Sequence, residues 1–463
     1  MTFRMQPLWL GALLALALPA AATALTPEQA QARAIYARLI AYKTEAGEGQ
    51  VPRMTDYLVG LFRGAGFPQA DIQVFPLGET NSLVVRYRGD GSGGKPILLM
   101  AHMDVVAADP KDWTRDPFTL VEENGYFFGR GTSDVKDGVA SLSSTFLRLK
   151  SEGFVPTRDL VIVFTGDEET EMATTQDLVD HHRDLLDADY ALNADGGGGT
   201  LEENGVPRTY SIQTAEKTYA DFELTVHNPG GHSSWPRPDN AIYQLADALK
   251  KVQAYRFPTM WNDTTLAEFT AEGKVAPGAL GATMRAFARN PRDNAAVEAL
   301  TRDSAQVGRI RTTCVATMLR GGHARNALPQ SATANINCRI FPGVAVDQVR
   351  RTLQEVVGKN VEITTIDHPT ASDASPLRQD VMEAVTRAVH TIHPGVQVVP
   401  NQASGASDGL YFRAAGIPTY GVGGMFIRDS DSLAHGLNER VPVQGFYDGL
   451  GYWYVLLKDL AGR

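Results

Sequence analysis

Thiols, net positive charge and long apolar runs are all scarce in this chain. Only two cysteines, Cys314 and Cys338, occur among 463 residues, which excludes a thiolate metal cluster and a multi-bridge disulfide framework. No nucleophile-type motif surrounds either cysteine. Both lie in runs that read as strands (311–319 and 334–341), so a bridge between neighbouring strands and two buried free thiols are equally open. Lysine and arginine total 43 against 53 aspartates and glutamates, a net charge of −10. With no basic stripe to offset phosphate repulsion, nucleic acid is excluded as the main partner. Beyond the N-terminus, no apolar run approaches the ~20 residues that a membrane span needs. Internal repeats are absent, and the four glycines at 196–199 are the only low-complexity stretch.

What is present is a globular composition, 43% hydrophobic and 21% charged, in a chain long enough for two domains. The N-terminus reads as a secretory signal, residues 1–24. Arg4 supplies the positive start, residues 8–18 form a short apolar stretch, and Ala22, Thr23 and Ala24 offer a small-residue cleavage site. The expectation is a secreted or periplasmic protein that is free of the membrane once the signal is removed.

Along the mature chain, strand and helix signals alternate. Helical patterns at 27–42 and 52–65 come first. Strands follow at 82–88, 96–102, 160–165 and 189–194, with helices at 138–151 and 174–182. Continuous apolar strands alternating with helices predict a largely parallel sheet covered on both faces, with ligands at the carboxyl ends of the strands. From about Thr218 the pattern becomes half-exposed: strands at 219–227, 311–319, 331–341 and 360–366, helices at 240–252 and 346–357. This describes a smaller α+β domain inserted in the first, with a polar, partly helical elaboration at 258–308. The α/β rhythm resumes after Ser375. The expected layout is therefore a catalytic domain at 25–217 and 371–463, interrupted by a domain at 218–370.

Chemistry-bearing residues collect at the predicted strand ends. They are His102 and Asp104, Asp134 in a glycine-broken loop before a helix, the doublet Glu168-Glu169, Asp195, and His435 far downstream. Each has a plain alternative: a structural histidine, a helix N-cap for Asp134, an acidic turn for the doublet. Taken together in this order, they provide enough groups for two divalent cations bridged by Asp134. Asp104 is placed to orient the His102 ring. Adjacent strand residues face opposite sides, so the doublet implies a turn in which one glutamate ligates and the other serves as general base. Nitrogen and oxygen donors without thiolate suit two Zn²⁺ first, with Co²⁺ or Mn²⁺ as substitutes.

These stretches resemble the M20 metallopeptidases, the family of aminoacylases, carnosine-type dipeptidases and glutamate carboxypeptidases. The resemblance is carried by Ala101-His102-Met103-Asp104-Val105-Val106, by Gly129-Arg130-Gly131 through Lys136, by Thr165-Gly166-Asp167-Glu168-Glu169, by Asn193-Ala194-Asp195, and by His435 through Glu439. It implies that His102 and Asp195 hold one zinc, Glu169 and His435 the other, and Asp134 both. Glu168 is then the catalytic base and Asp104 the support of His102. It also implies that the inserted domain is a lid and dimerisation domain, giving a homodimer. His232, Asn326 and Arg339 would contact substrate, and the 404–409 loop around Gly405 would present backbone N–H groups to a substrate carboxylate.

The chain departs from the family pattern at Asp137, which intervenes before Gly138, and in using Asp195 rather than glutamate. The resulting expectation is a di-zinc exopeptidase (dipeptidase or carboxypeptidase type) acting on small peptides. An N-acyl-amino-acid amidohydrolase is the alternative, and a non-catalytic peptide- or metal-binding protein is the competing class.

Overall fold

The structure is a computed structural model that describes residues 24–462; the expected signal peptide lies outside them except for Ala24. Its centre is a large mixed sheet. Four strands run parallel in the middle, in the order Leu160–Thr165, Ile97–His102, Tyr190–Asn193 and Thr419–Gly421. The first two of these are buried at every position, as a strand covered on both faces must be. Each buried Leu, Ile, Val or Phe there contributes roughly 1.5–3 kcal/mol.

Helices cover both faces. Pro27–Ile40, Val51–Gly64, Lys136–Ser151, Gln379–Ile392 and Val443–Ala461 pack their apolar sides into one large core. Ala173–His181 and Gly409–Ala414 close a smaller core on the other face through Leu178 and Phe412. Local chemistry sets the first boundary: Thr26 and Gln29 form a reciprocal capping box, with Pro27 in the first turn.

Several strands carry no clear period in the sequence. Ile72–Leu77 forms an antiparallel hairpin with Thr80–Tyr87 through a two-residue turn, Leu77 facing Thr80. Gly78 has φ 59° there, a left-handed conformation that glycine adopts at little cost. Pro207–Glu216 and the small sheet of Val121–Glu123, Tyr126–Phe128 and Arg440–Pro442 were also not anticipated. Outside its parallel centre the large sheet is mixed: Thr80–Tyr87 pairs antiparallel with Leu160–Thr165, and Pro207–Glu216 pairs antiparallel with Thr419–Gly421 but parallel with Gln397–Ala403.

Residues 218–366 supply a second, four-stranded antiparallel sheet, ordered Thr313–Gly321, Ser331–Ile340, Thr218–His227, Glu362–Ile366. Helices Ala241–Ala254 and Val346–Val357 cover one face. The alternating burial of Ser331–Ile340 leaves Asn335, Asn337 and Arg339 on the other face. Cys314 and Cys338 face each other across the first two strands and are bonded. The 258–308 stretch is more than a polar elaboration. Helices Asp263–Val275, Gly278–Arg289 and Asn294–Arg302 enclose their own small core around Phe269, Met284, Phe287 and Leu300.

Candidate metal centre

His102, Glu168, Glu169 and Asp195 follow or end the parallel strands at their carboxyl edge, and Asp134 reaches that edge from the turn before Lys136–Ser151. His102 ends its strand and pairs in register with Thr165, the last residue of the neighbouring strand. The chain then turns through Gly166 and Asp167 into Glu168-Glu169. Asp167 holds that turn by accepting hydrogen bonds from the N–H groups of Ala173 (2.7 Å) and Thr174 (3.0 Å) at the start of the next helix. Asp195 follows the strand that ends at Asn193, and its own N–H donates to Asn193 Oδ1 at 3.0 Å. His435 arrives from a loop near the C-terminus in a left-handed conformation, φ 62°.

Asp134 lies at the focus. Its Oδ1 is 3.0 Å from His102 Nε2 and its Oδ2 is 3.0 Å from His435 Nε2. His435 Nε2 is also 3.0 Å from Glu169. The peptide following Asp134 is cis. Donor atoms of His102, Asp134 and Asp195 lie within 4.8 Å of one another, as do those of Asp134, Glu169 and His435. Two three-donor groups sharing one carboxylate fit a pair of first-row dications, since a carboxylate can give one oxygen to each.

The electrostatics fit the same pair of cations. Burial raises the carboxyl pKa of Glu168, with Asp195, Asp408 and Glu169 adding to it against the pull of His102. Burial likewise raises Glu169, helped by Asp134, and Asp195, helped by Asp134 and Asp408. Burial acts on Asp134 in the same sense, but the imidazoles of His102 and His435 prevail and hold it well below the usual range. Such crowding of buried carboxylates is costly unless positive charge joins them.

Asp104 does more than support His102. The His102 Nδ1 lies 3.0 Å from the Asp104 backbone carbonyl and 3.5 Å from its carboxylate. The carboxylate instead accepts the N–H groups of Glu168 (3.1 Å) and Glu169 (2.9 Å). Asp137 is buried in the first turn of its helix, where burial and the nearby Asp134 raise its pKa strongly.

The substrate-side residues form two groups. Gly231–His232 pairs with Ala327–Leu328, and the Ser233 N–H donates to the Asn326 carbonyl at 3.0 Å, which brings His232 and Asn326 together. The Ser234 N–H donates to His232 Nδ1 at 3.1 Å. That bond fixes the tautomer in which Nε2 carries the proton. Arg339 stacks over Tyr219 and donates to the Ser404 carbonyl at 2.9 Å, at the root of the loop that holds Gly405.

The side chains of Ser407 and Asp408, which carry no local signature in the sequence, tie this loop to the carboxyl edge of the parallel strands. Asn193 Nδ2 donates to Ser407 Oγ at 3.3 Å, and Ser407 Oγ donates to the buried Glu216 at 2.5 Å. The neighbouring Asp408 is buried and accepts the hydroxyls of Thr165 and Thr175, below the Glu168 turn. Asn193, by contrast, lies inside a matched stretch.

Residues 98–459 match the model of peptidase family M20/M25/M40. The chain belongs to that family. It is a hydrolytic enzyme of the M20 type. Among known relatives, it is 25% identical over 401 residues to the N-fatty-acyl-amino acid synthase/hydrolase of Homo sapiens, covering 82% of this chain and 77% of that one. Carboxypeptidase S of Saccharomyces cerevisiae is 30% identical over 62% of this chain and 51% of its own. The fold matches the M20 metallo-carboxypeptidase of Sulfolobus solfataricus with TM-score 0.68 and 17% identity, over 93% of this chain and 99% of that one. It matches the dipeptidase Dug1p of Saccharomyces cerevisiae with TM-score 0.64 and 15% identity, over 94% and 96%.

Proposed function

We propose that this M20 hydrolase is an exported two-zinc exopeptidase that cleaves the amide bond of small peptides. The carrying observation is the Asp134 carboxylate between two imidazole nitrogens, each at 3.0 Å. His102 and Asp195 would hold one Zn²⁺, Glu169 and His435 the other, and Asp134 both. Bound there, the cations would polarise the scissile carbonyl, acidify the attacking water and lower the raised carboxyl pKa values around them.

The protein groups divide the remaining work. Glu168 takes the proton of the attacking water and returns it to the leaving amine; its carboxyl is buried and shielded from bulk solvent. Asp104 holds the backbone of Glu168 and Glu169 still. His232 offers its Nε2–H to the developing oxyanion when the lid closes, and Asn326 supports the same loop. Arg339 pairs with a substrate carboxylate, which the N–H groups around Gly405 also face.

A second reading is supported by the relatives whose names state N-fatty-acyl-amino acid hydrolysis. The bond cleaved is again an amide, and the group released still carries a free carboxylate. Turnover measured across dipeptides, N-acyl amino acids and C-terminally blocked analogues, together with bound-metal content, tests both readings. Hydrolysis confined to N-acyl amino acids would replace the first by the second. Metal binding without any turnover would leave only a binding protein.

Residues 218–370 act in this reading as lid and dimerisation domain. The edge strand Thr313–Gly321 supports that role by exposing Val315, Met318 and Leu319, because open apolar edges invite pairing. Export is supported by the bonded Cys314–Cys338 pair, which suits an oxidising compartment. Among the described residues no helix is long and apolar enough to cross a membrane.

A further inference from the structure

Glu439 is a carboxylate with no solvent exposure, four positions after His435. Its Oε2 accepts from the Gly131 N–H at 3.0 Å and from Arg130 Nη1 at 2.8 Å. Its Oε1 accepts from the Ser133 N–H at 2.7 Å, Ser133 Oγ at 3.1 Å and the Asp134 N–H at 3.3 Å. The Gly129 N–H donates to the Glu439 carbonyl at 3.1 Å, and Arg130 Nη2 donates to the His435 carbonyl at 3.4 Å. One side chain, with its arginine partner, therefore fastens the loop that presents Asp134 to the loop that presents His435. Neither loop has a strand ladder of its own at these residues. His435 and Asn438 both adopt left-handed backbone, φ 62° and 54°.

We infer that Glu439 is a positioning residue that sets the affinity of the Asp134–Glu169–His435 cation site. This rests on the two-metal reading. The two donor groups do not depend on Glu439 equally. His102 and Asp195 are fixed by the parallel strands they end or follow, so only Asp134 of the first group hangs on Glu439. In the second group, both Asp134 and His435 hang on it, and Glu169 alone is held independently through Asp104. Loosening Glu439 should therefore cost the second site more than the first. Charge-assisted bonds from buried donors are the kind whose loss is felt, because each N–H left behind is unsatisfied.

The test is titration of metal-free protein with Co²⁺, followed by calorimetry and by the visible absorption of the bound ion. Wild type should take up two ions. Glu439→Gln keeps the side-chain volume but loses the charge and one acceptor. It should retain the first uptake while the second weakens by ~10–100-fold, the usual cost of removing a group that supports a ligand. His435→Ala supplies the reference spectrum for a protein lacking that site, and Glu439→Gln at low Co²⁺ should resemble it.

Equal weakening of both uptakes would mean general structural damage and would overturn the inference, as would unchanged uptake. If Glu439→Gln fails to fold, Arg130→Lys gives the same comparison, since it keeps the charge but loses the forked contact to Glu439 and His435. Uptake of fewer than two ions by wild type would remove the two-metal reading itself, and this inference with it.

Discussion

The ring of His102 is oriented by the main chain of Asp104, whose carbonyl lies 3.0 Å from Nδ1, while the Asp104 carboxylate accepts the N–H groups of Glu168 and Glu169. One residue thus steadies both a prospective metal ligand and the prospective base, by different groups. The consequence is a separation of effects. Asp104→Asn leaves the carbonyl in place but can accept only one of the two N–H bonds. Turnover should fall by roughly 10–100-fold with bound-metal content retained. Parallel loss of metal and activity would show that the carboxylate acts through His102 instead.

Glu168→Gln removes the proton acceptor while preserving size. General acid–base groups typically contribute ~10²–10⁴-fold, so kcat should fall in that range with both metal equivalents still bound. Chelation of wild type should abolish activity, with recovery on adding Zn²⁺. A chelator-insensitive enzyme would exclude the metal centre from the reaction.

Arg339 faces the open side of its sheet, stacked over Tyr219 and donating to the Ser404 carbonyl, with no carboxylate in direct ion-pair contact among the described residues. Arg339→Ala should lower kcat/KM by roughly 10–100-fold for substrates with a free carboxylate, the equivalent of a charged hydrogen bond worth ~1.5–3 kcal/mol. Amidated analogues should be nearly unaffected. Equal losses on both would assign Arg339 to lid structure.

Lys217 predicts a pH dependence of stability. It is 3% exposed, and its ammonium donates to the carbonyls of Gly308 (2.8 Å) and Arg311 (3.0 Å), with no ion-paired carboxylate among the described residues. Burial, and then Arg339, lower its pKa from 10.5 to about 7. Between these two values the unfolded chain binds more protons than the folded one, so stability rises with pH across that window. Thermal melts at several pH values above 7 should show this rise. In Lys217→Met it should be shallower, though not absent, because burial lowers Lys136 to about 7 as well. Identical slopes would show that Lys217 keeps its proton in the folded protein and that its pKa is not lowered.

Much of the fold was legible because burial leaves a periodic trace. The strands at 97–102 and 160–165 are apolar at nearly every position since helices cover them on both sides. The half-exposed strands of the second sheet alternate for the complementary reason. Strand Ile72–Leu77 leaves no clear period because its exposed positions hold apolar Val74 and Pro76 instead of polar residues. The helices within 258–308 leave a weak trace because Gly278–Arg289 and Asn294–Arg302 bury only narrow stripes, while Asp263–Val275 buries polar as well as apolar residues.

By itself the sequence determined the parallel centre, the strand-end placement of His102, Glu168, Glu169 and Asp195, and the chemical types of the donors, because each follows from residues close together in the chain. The family resemblance already implied that Asp134 is shared between the His102 and His435 groups; tertiary structure alone decided its 3.0 Å approach to both imidazoles, that Asp104 grips the Glu168-Glu169 turn, and that Cys314 is bonded to Cys338. It also decided that Glu439 clasps a loop more than 300 residues earlier in the chain. These relationships depend on distances in space between segments remote in sequence, and no local periodicity records such a distance.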